Sequence, residues 1–300
     1  MKPTTRFRQR LQQDRIVVIP GAYDALMARV VERVGFEAVY MTGAGISNAM
    51  VGVPDINLVT MTEMVTAASY MAEAVSLPVI CDADTGYGHA VNVMRTVREF
   101  EQAGVAGIHI EDQVAPKRCG HLAGKQVIPQ EEMLGKIQAA VEARRDPDFI
   151  LIARVDARGV TGFRDAIERG IAYREAGADV IFPEALETQE EFAEYVREVG
   201  GPLLANMTEF GKSPYLRASE LEALGYRMVI FPVSSMRVAL KAAWDFYEEL
   251  KATGTQAGWL DRMKTRGELY DLIDYSRYQE YEDRFTGAPS SDSAGWRSKP

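Results

Sequence analysis

The run Lys117-Arg118-Cys119-Gly120-His121 places one of only two cysteines and one of only three histidines among cations. Each nearby positive charge favours the ionised thiol, so Cys119 is a candidate acid, base or nucleophile. The pentapeptide alone also reads as a surface loop with one cysteine among solvated charges, and its surroundings must decide. Asp82 and Asp84 stand two residues apart, which on an extended chain sets both carboxylates on one side, just ahead of Gly86-Tyr87-Gly88. With Glu111-Asp112 and Asp55 they form an oxygen-only donor set suited to Mg²⁺ or Mn²⁺, while too few histidines are at hand for zinc. An Asp-X-Asp pair by itself is more often a turn or a salt-bridged pair; its coincidence with Glu111-Asp112 is what points to a metal. A divalent ion there would chelate a 2-hydroxy or 2-oxo carboxylate and stabilise the oxyanion that develops on it. Arg154, Asn206 and the cations around Cys119 would hold a second carboxylate, so the implied substrate is a di- or tricarboxylate. Carbon–carbon cleavage beside a carboxylate leaves a carbanion that needs a proton, and a thiol of tuned pKa can deliver it. The stretch 117–125 carries two glycines and could close over the site.

Such groups need a frame that brings distant segments to one place. Short apolar stretches alternate with helical patterns, the signal for repeated β/α units around a parallel sheet. The expected strands are 16–19, 38–42, 78–82, 107–111, 149–155, 179–182, 203–206 and 228–231, with helices expected over 92–103, 130–144, 163–176, 189–199 and 218–224. Gly104, Gly177 and Gly225 stand where C-caps belong. Eight strands in this length suggest an α/β fold of the (β/α)8 TIM-barrel type, with an open doubly wound sheet as the alternative. No Gly-rich dinucleotide or phosphate fingerprint opens a helix, which removes the usual reason for the open sheet. Tyr40 and Thr42, Asp82 and Asp84, Glu111 and Asp112, Arg154 and Asp156, Glu184, and Asn206 all fall at C-terminal strand ends. In a barrel these converge on one mouth.

Composition narrows the classes. A net charge of −9 and a pI near 5.1 lack the basic footprint of nucleic-acid binding. Two cysteines, Cys81 and Cys119, give no disulfide framework, and no apolar run is long enough for a transmembrane helix, so a cytoplasmic protein with no membrane partner is expected. The first 15 residues carry five basic residues and one acid without an apolar segment. A matrix-targeting presequence is one reading; a short amphipathic helix capped by Thr4 or Thr5, with Phe7 and Leu11 on one face, is the other. Residues 1–254 are expected to form the barrel, closed by a helix over 238–250. A further amphipathic helix over 255–273, within an extension to 285, has nothing left to close and implies an oligomer; 286–300 reads as a disordered tail. His109 is expected as a hydrogen-bonded barrel residue, His89 as a surface group at a helix start, and Cys81 as packed between barrel and helices.

The residues resemble the isocitrate lyase and phosphoenolpyruvate mutase superfamily from about Phe7 to Phe285. The likeness rests on Gly21-Ala22-Tyr23-Asp24-Ala25, Tyr40-Met41-Thr42-Gly43, Val53-Pro54-Asp55, the Asp82/Asp84 pair, Ile110-Glu111-Asp112-Gln113, Lys117 to His121, Phe182-Pro183-Glu184-Ala185, and Asn206 to Gly211. Lys-[Lys/Arg]-Cys-Gly-His is the signature of the carbon–carbon lyase branch, and phosphonate-forming and decarboxylating relatives typically lack that cysteine. The resemblance implies Mg²⁺-dependent retro-aldol cleavage of a 2-hydroxy acid to a 2-oxo acid and a carboxylate. It assigns Asp84 to the metal most directly, with Asp82, Glu111 and Asp55 placing its waters. Tyr40, Thr42, Gly43, Asp55, Arg154, Glu184 and Asn206 would bind substrate or help move the hydroxyl proton. Cys119 would protonate the carbanion, tuned by His121 and Lys117. Tetramers with an exchanged C-terminal helix are implied as well. Arg266 matches a C-terminal motif of methylisocitrate lyases and reads equally as an exposed helix charge.

Two departures bear on substrate. Val155 stands where the family usually has Thr, so a hydroxyl near the mouth is expected to be missing. Leu122-Ala123-Gly124-Lys125 replaces Arg-Pro-Asn-Lys after Cys-Gly-His, as in enzymes that cleave malate derivatives such as 2,3-dimethylmalate; the Asn206–Gly211 and Arg266 segments lean toward 2-methylisocitrate. Oxaloacetate decarboxylase or hydrolase activity, phosphonomutase activity, and a barrel that has lost catalysis and only binds a partner are the alternatives. The last predicts decay of the metal carboxylates, all of which are in place.

Overall fold

The computed structural model describes residues 1–118, 120 and 124–286. Its strands are β1 (Val17–Ala22), β2 (Val39–Met41), β3 (Val79–Asp82), β4 (Gly107–Glu111), β5 (Ile150–Val155), β6 (Val180–Pro183), β7 (Leu204–Asn206) and β8 (Met228–Phe231). The helices are α1 (Pro3–Leu11), α2 (Ala25–Val34), α3 (Gly43–Ile46), α4 (Met61–Ala74), α5 (Ala90–Gln102), α6 (Gln130–Ala143), α7 (Phe163–Glu175), α8 (Gln189–Val199), α9 (Ala218–Leu224), α10 (Ser234–Thr253), α11 (Arg266–Leu272) and α12 (Tyr275–Thr286). All strand pairings are parallel, in the order β6-β5-β4-β3-β2-β1-β8-β7. The two ends of that order meet through one bridge, Ile181 to Leu203, so the sheet is a nearly closed TIM-type barrel.

Period-two alternation sorts the strand residues into two cores. Val17, Ile19, Ile80, Ile150, Ile152, Val180, Leu204, Met228 and Ile230 belong to one buried cluster inside the barrel. Their chain neighbours, such as Cys81, Ile108, Ala153, Val155 and Ile181, belong to a larger cluster shared with the helices. Cys81 is therefore packed where expected. Helix α1 contributes Phe7 and Leu11 to the interior cluster and so plugs one end of the barrel. Arg10 ties it there through Glu37 and the carbonyls of Arg15 and Ile16. The cap is not the one expected: Lys2 is the N-cap with Pro3 in the first turn, while Thr4 and Thr5 donate to Asp146 and Asp148.

Gly104, Gly177 and Gly225 do take positive φ at helix ends. Most element boundaries shift by a residue or two. Strand β1 runs three residues past its expected end because β8 and β2 pair with Pro20, Gly21 and Ala22, residues of low strand propensity that partner strands nonetheless hold extended. The chain falls into two compact units, Met1–Met236 with all eight strands, and a second from Arg237 onward. In the second unit the helix expected over 255–273 is broken into a 3₁₀ segment, Ala257–Arg262, and α11. Met263 is extended, and Thr265 with Glu268 forms a capping box that starts a new helix. Trp259 fixes the 3₁₀ segment by donating to Glu249 and packing edge-on against Phe246. No helix among the described residues is long and apolar enough to cross a membrane. Residues 287–300, expected as a tail, lie outside the described residues.

Candidate active site

The inward-facing residues at the C-terminal strand ends are Tyr40, Asp82, His109, Glu111, Arg154, Phe182, Glu184 and Asn206; on β2, β3, β5, β6 and β7 they stand two or four residues from interior apolar side chains, and on β4 His109 and Glu111 alternate with the outward Ile108 and Ile110. Strand parity alone thus delivers the expected polar mouth. Thr42 is buried and caps α3, accepting from the Gly45 amide, while a Cβ on Gly43 would lie 2.5 Å from Asp82 Oδ2. The backbone must be a glycine there for the acid to sit this close.

Asp84 does not continue an extended strand, as had been expected. It lies in the left-handed region at φ 47°, and the Asp82 carboxylate accepts the Asp84 amide at 2.9 Å. The turn that follows has Gly86, Tyr87 and Gly88 at positive φ, with Lys136 on α6 donating to the Thr85 carbonyl. This curl carries Asp84 toward Lys117, whose Nζ lies 2.9 Å from Asp84 Oδ1 and 2.5 Å from Asp55 Oδ1. Burial pushes the Asp84 carboxyl up, against the pull of Lys117, to about 6. Glu111 is fully buried, and among the described residues neither carboxylate oxygen has a hydrogen bond of ordinary geometry; Oε2 is 3.2 Å from an Arg154 nitrogen. Burial raises it well above the carboxylate range.

These acids suit a hard cation by donor type, and the orphaned Glu111 oxygens are what waters on such an ion would satisfy. Among the described residues no three acidic, histidine or cysteine side chains converge closely enough to hold an ion directly. An ion held by one or two carboxylates and several waters, the habit of Mg²⁺, matches that spacing.

Asp112, read beside Glu111 as part of the cation set, faces the other way. Its carboxylate takes the Tyr173 hydroxyl at 2.8 Å, Arg169 at 3.1 Å and the Asp156 amide at 2.8 Å, a buried structural network behind the sheet. Val155 faces that side too, within the helix-packed core, so a threonine hydroxyl there would point away from the mouth rather than into it. His109 is a hydrogen-bonded barrel residue, its Nε2 2.7 Å from the Tyr40 hydroxyl and its ring edge-on to Phe182. Burial holds it neutral and raises Tyr40 well above its ordinary value. His89 is the exposed N-cap position of α5.

Across the mouth, Arg154 binds Asp156 through two nitrogens at 2.9 and 3.1 Å, reaches Glu184 at 3.7 Å and lies over the Phe182 ring at 5.3 Å. The Asn206 amide donates to Glu184 at 3.2 Å, and its buried carbonyl oxygen has no partner among the described residues. The loop after β4 crosses above. Lys117 is buried, and a Cβ on Gly120 would lie 2.3 Å from both Arg154 Nη2 and Glu184 Oε1. Cys119 and His121 themselves lie outside the described residues. Arg266 is exposed at the start of α11 in the second unit. Sequence reasoning missed the roles of Gln113, Lys125 and Asn57, which tie this loop down; Asp156 had a signal, being two residues beyond Arg154 on the same face, whereas the loop residues had none.

A (β/α)8 barrel with buried carboxylates, an arginine and a loop converging on its C-terminal mouth is the architecture of a carboxylate-handling enzyme. The sequence pattern of the phosphoenolpyruvate phosphomutase family matches residues 7–251. The chain is 50% identical over 285 residues to 2,3-dimethylmalate lyase of Eubacterium barkeri (95% of this chain, 99% of that one). It is 51% identical over 279 residues to 2-methylisocitrate lyase of Aeropyrum pernix (93% and 90%). The crystal structure of a 2,3-dimethylmalate lyase, a PEP mutase/isocitrate lyase superfamily member, superposes with a TM-score of 0.91 at 37% identity, covering 98% of each chain. Phosphonopyruvate hydrolase in complex with oxalate and Mg²⁺ superposes with a TM-score of 0.86 at 32% identity, covering 95% and 100%. This chain belongs to the phosphoenolpyruvate mutase/isocitrate lyase family, and its sequence relatives are named as lyases, in agreement with the expectation of a carbon–carbon lyase.

Proposed function

We propose that the chain cleaves an alkyl-substituted 2-hydroxy acid, 2-methylisocitrate or a malate such as 2,3-dimethylmalate, with Mg²⁺, or Mn²⁺ in its place, as cofactor. Asp84 would hold the ion, with Asp82, Glu111 and Asp55 binding its waters. When bound, the ion supplies a Lewis acid for the substrate's hydroxyl and carboxylate oxygens. Arg154 and Asn206 hold the carboxylate of the departing half, and the Thr42 and Gly43 turn receives the other. Loss of the hydroxyl proton turns the C–O bond into C=O. The C2–C3 bond breaks, its electron pair passes to the carbon beside the second carboxylate, and the Cys119 thiol gives that carbon its proton. Glu184, neighbouring Arg154 and Asn206, and the Tyr40–His109 pair line the path by which the hydroxyl proton leaves. Lys117 and His121 set the charge around the thiol.

The observation that carries this reading is the seating of Gly120, next in chain to Cys119, directly against Arg154 and Glu184. It supports a loop seated on the mouth rather than one in solvent. The exposure of Trp244, Tyr247, Leu260, Tyr278 and Phe285 in the single chain supports an oligomer, for which the family resemblance implies a homotetramer with exchanged C-terminal helices. The sparse cysteines support a cytoplasmic location. The test is Cys119→Ser against wild type with Mg²⁺ on both hydroxy acids. Cleavage falls by orders of magnitude if the thiol protonates the carbanion; retained cleavage of these acids removes the thiol from the proton's route, and turnover of oxaloacetate or phosphonopyruvate in their place, undiminished by the substitution, places the chain with the hydrolase or mutase alternatives.

A further inference from the structure

The curl that carries Asp84 into the mouth is held from two sides. On the side of the sheet, the Ala83 carbonyl accepts the Gly86 amide at 2.9 Å and the Asp84 carbonyl accepts the Glu111 amide at 2.9 Å, all backbone groups. The next two carbonyls are met from behind, by side chains of the outer helices. Thr85 accepts from Lys136 Nζ of α6 at 3.2 Å, and Gly86 accepts from Thr96 Oγ1 of α5 at 3.0 Å. Both donors are buried, Lys136 at 4% exposure and Thr96 at 0%. Asp84 and Tyr87 are non-glycine residues in the left-handed region, a costly backbone that persists only where its surroundings over-determine it.

Lys136 is itself costly to keep there. Its neighbouring carboxylate, Glu132 one turn back, stands 4.0 Å away, and among the described residues the Thr85 carbonyl is its one hydrogen-bond acceptor. Burial pulls the ammonium below its ordinary value, against the opposing pull of Glu132, Asp112 and Glu111. A methionine would fill similar space without burying a charge, so packing alone does not account for the lysine.

We propose that Lys136 is a positioning residue: through the Thr85 carbonyl, with Thr96 as a second point of support, it fixes the curl that sets the Asp84 carboxylate for a divalent cation. Carboxylate and carbonyl belong to consecutive residues, so a curl released at Thr85 turns Asp84 with it. Charge alone predicts the opposite effect. A buried cation behind a cation site repels the ion, and its removal would tighten binding. The sign of the change therefore separates positioning from electrostatics.

The inference rests on the assignment of the ion to Asp84. It is tested with Mn²⁺ alone, by electron paramagnetic resonance of the free ion, without substrate or turnover. Lys136→Met is expected to weaken Mn²⁺ binding about tenfold, the scale of losing a group that orients a metal ligand. Lys136→Arg, which keeps a donor and the charge, restores it. Thr96→Val, matched in shape and uncharged, weakens binding in the same direction and carries the test if Lys136→Met does not fold. Binding at wild-type strength or tighter in Lys136→Met overturns the inference, as does wild-type binding in Thr96→Val where the lysine variant is unfolded. A lower metal-free thermal midpoint with unchanged Mn²⁺ affinity marks a structural lysine and overturns it too. If Asp84→Ala also binds Mn²⁺ like wild type, the assignment of the ion has failed; if Asp84→Ala loses the ion while Lys136→Met keeps it, the assignment stands and the role of Lys136 falls.

Discussion

Gly120→Ala isolates the contact between the loop and the mouth. A Cβ there would stand 2.3 Å from Arg154 Nη2 and 2.3 Å from Glu184 Oε1, about 1.1 Å short of the 3.4 Å at which ordinary contact begins. Neither neighbour can retreat cheaply: Arg154 is held through two nitrogens by Asp156, Glu184 is held by Asn206, and both are buried. The loop must therefore ride up by about 1 Å, carrying the residue next to Gly120 with it. A displacement of that size at a reacting group costs on the order of 10²-fold in rate, or about 2.7 kcal/mol on the barrier. The assay is kcat on the preferred hydroxy acid beside a thermal melt. The expected result is kcat down about 10²-fold with a midpoint within about 2 °C of wild type, because the loop shifts while the apolar core stays packed. A kcat within about threefold of wild type would refute the claim that the loop seats on Arg154 and Glu184 during turnover.

Gly135→Ala, inside α6 with nothing within 4 Å of its Cβ position, should leave kcat unchanged and add about 0.5–1 kcal/mol of stability by lowering unfolded-chain entropy; a lower midpoint would contradict the open space seen there. Asp84→Ala should abolish Mn²⁺ binding at low millimolar metal, read by electron paramagnetic resonance of free Mn²⁺; wild-type-like uptake would sink its assignment. Cys119→Ala should lose on the order of 10²–10⁴ in kcat with a smaller change in KM, the split expected of a group acting in the transition state. Glu37 is held below the usual carboxylate range by its hydrogen bond from Arg10, outweighing partial burial. A depressed folded value means stability present above the unfolded pKa and lost as pH falls through the folded one. Wild type should therefore melt above Glu37→Gln at pH 7, with the gap closing below about pH 4; a gap independent of pH would show that the Arg10 tie contributes nothing.

The barrel was legible because its signals are local and repeated. Each strand is a short apolar run, each ends in a polar residue, and parity then decides which of those polar residues face the mouth. That rule placed Tyr40, Asp82, Glu111, Arg154, Glu184 and Asn206 from the sequence, and would have excluded Asp112 and Val155 had it been applied strictly. The turn at Asp84 was not legible, since an aspartate at φ 47° depends on its amide meeting the Asp82 carboxylate and on Lys117 arriving from a distant loop. The same holds for Lys125 and Gln113: nothing local marks a loop lysine as the partner of a strand-end aspartate 31 residues on. In the second unit, apolar periodicity was legible, whereas the break at Met263 hinged on the Thr265–Glu268 capping box.

The most direct test of the central claim is proton NMR of the purified protein with Mg²⁺ in D₂O, offered 2-methylisocitrate, isocitrate, 2,3-dimethylmalate, oxaloacetate and phosphonopyruvate separately. The account predicts pyruvate from an alkyl-substituted 2-hydroxy acid, together with succinate or propionate carrying one deuteron at the carbon released by cleavage. Turnover of oxaloacetate or phosphonopyruvate, with both alkyl hydroxy acids left intact, would contradict it.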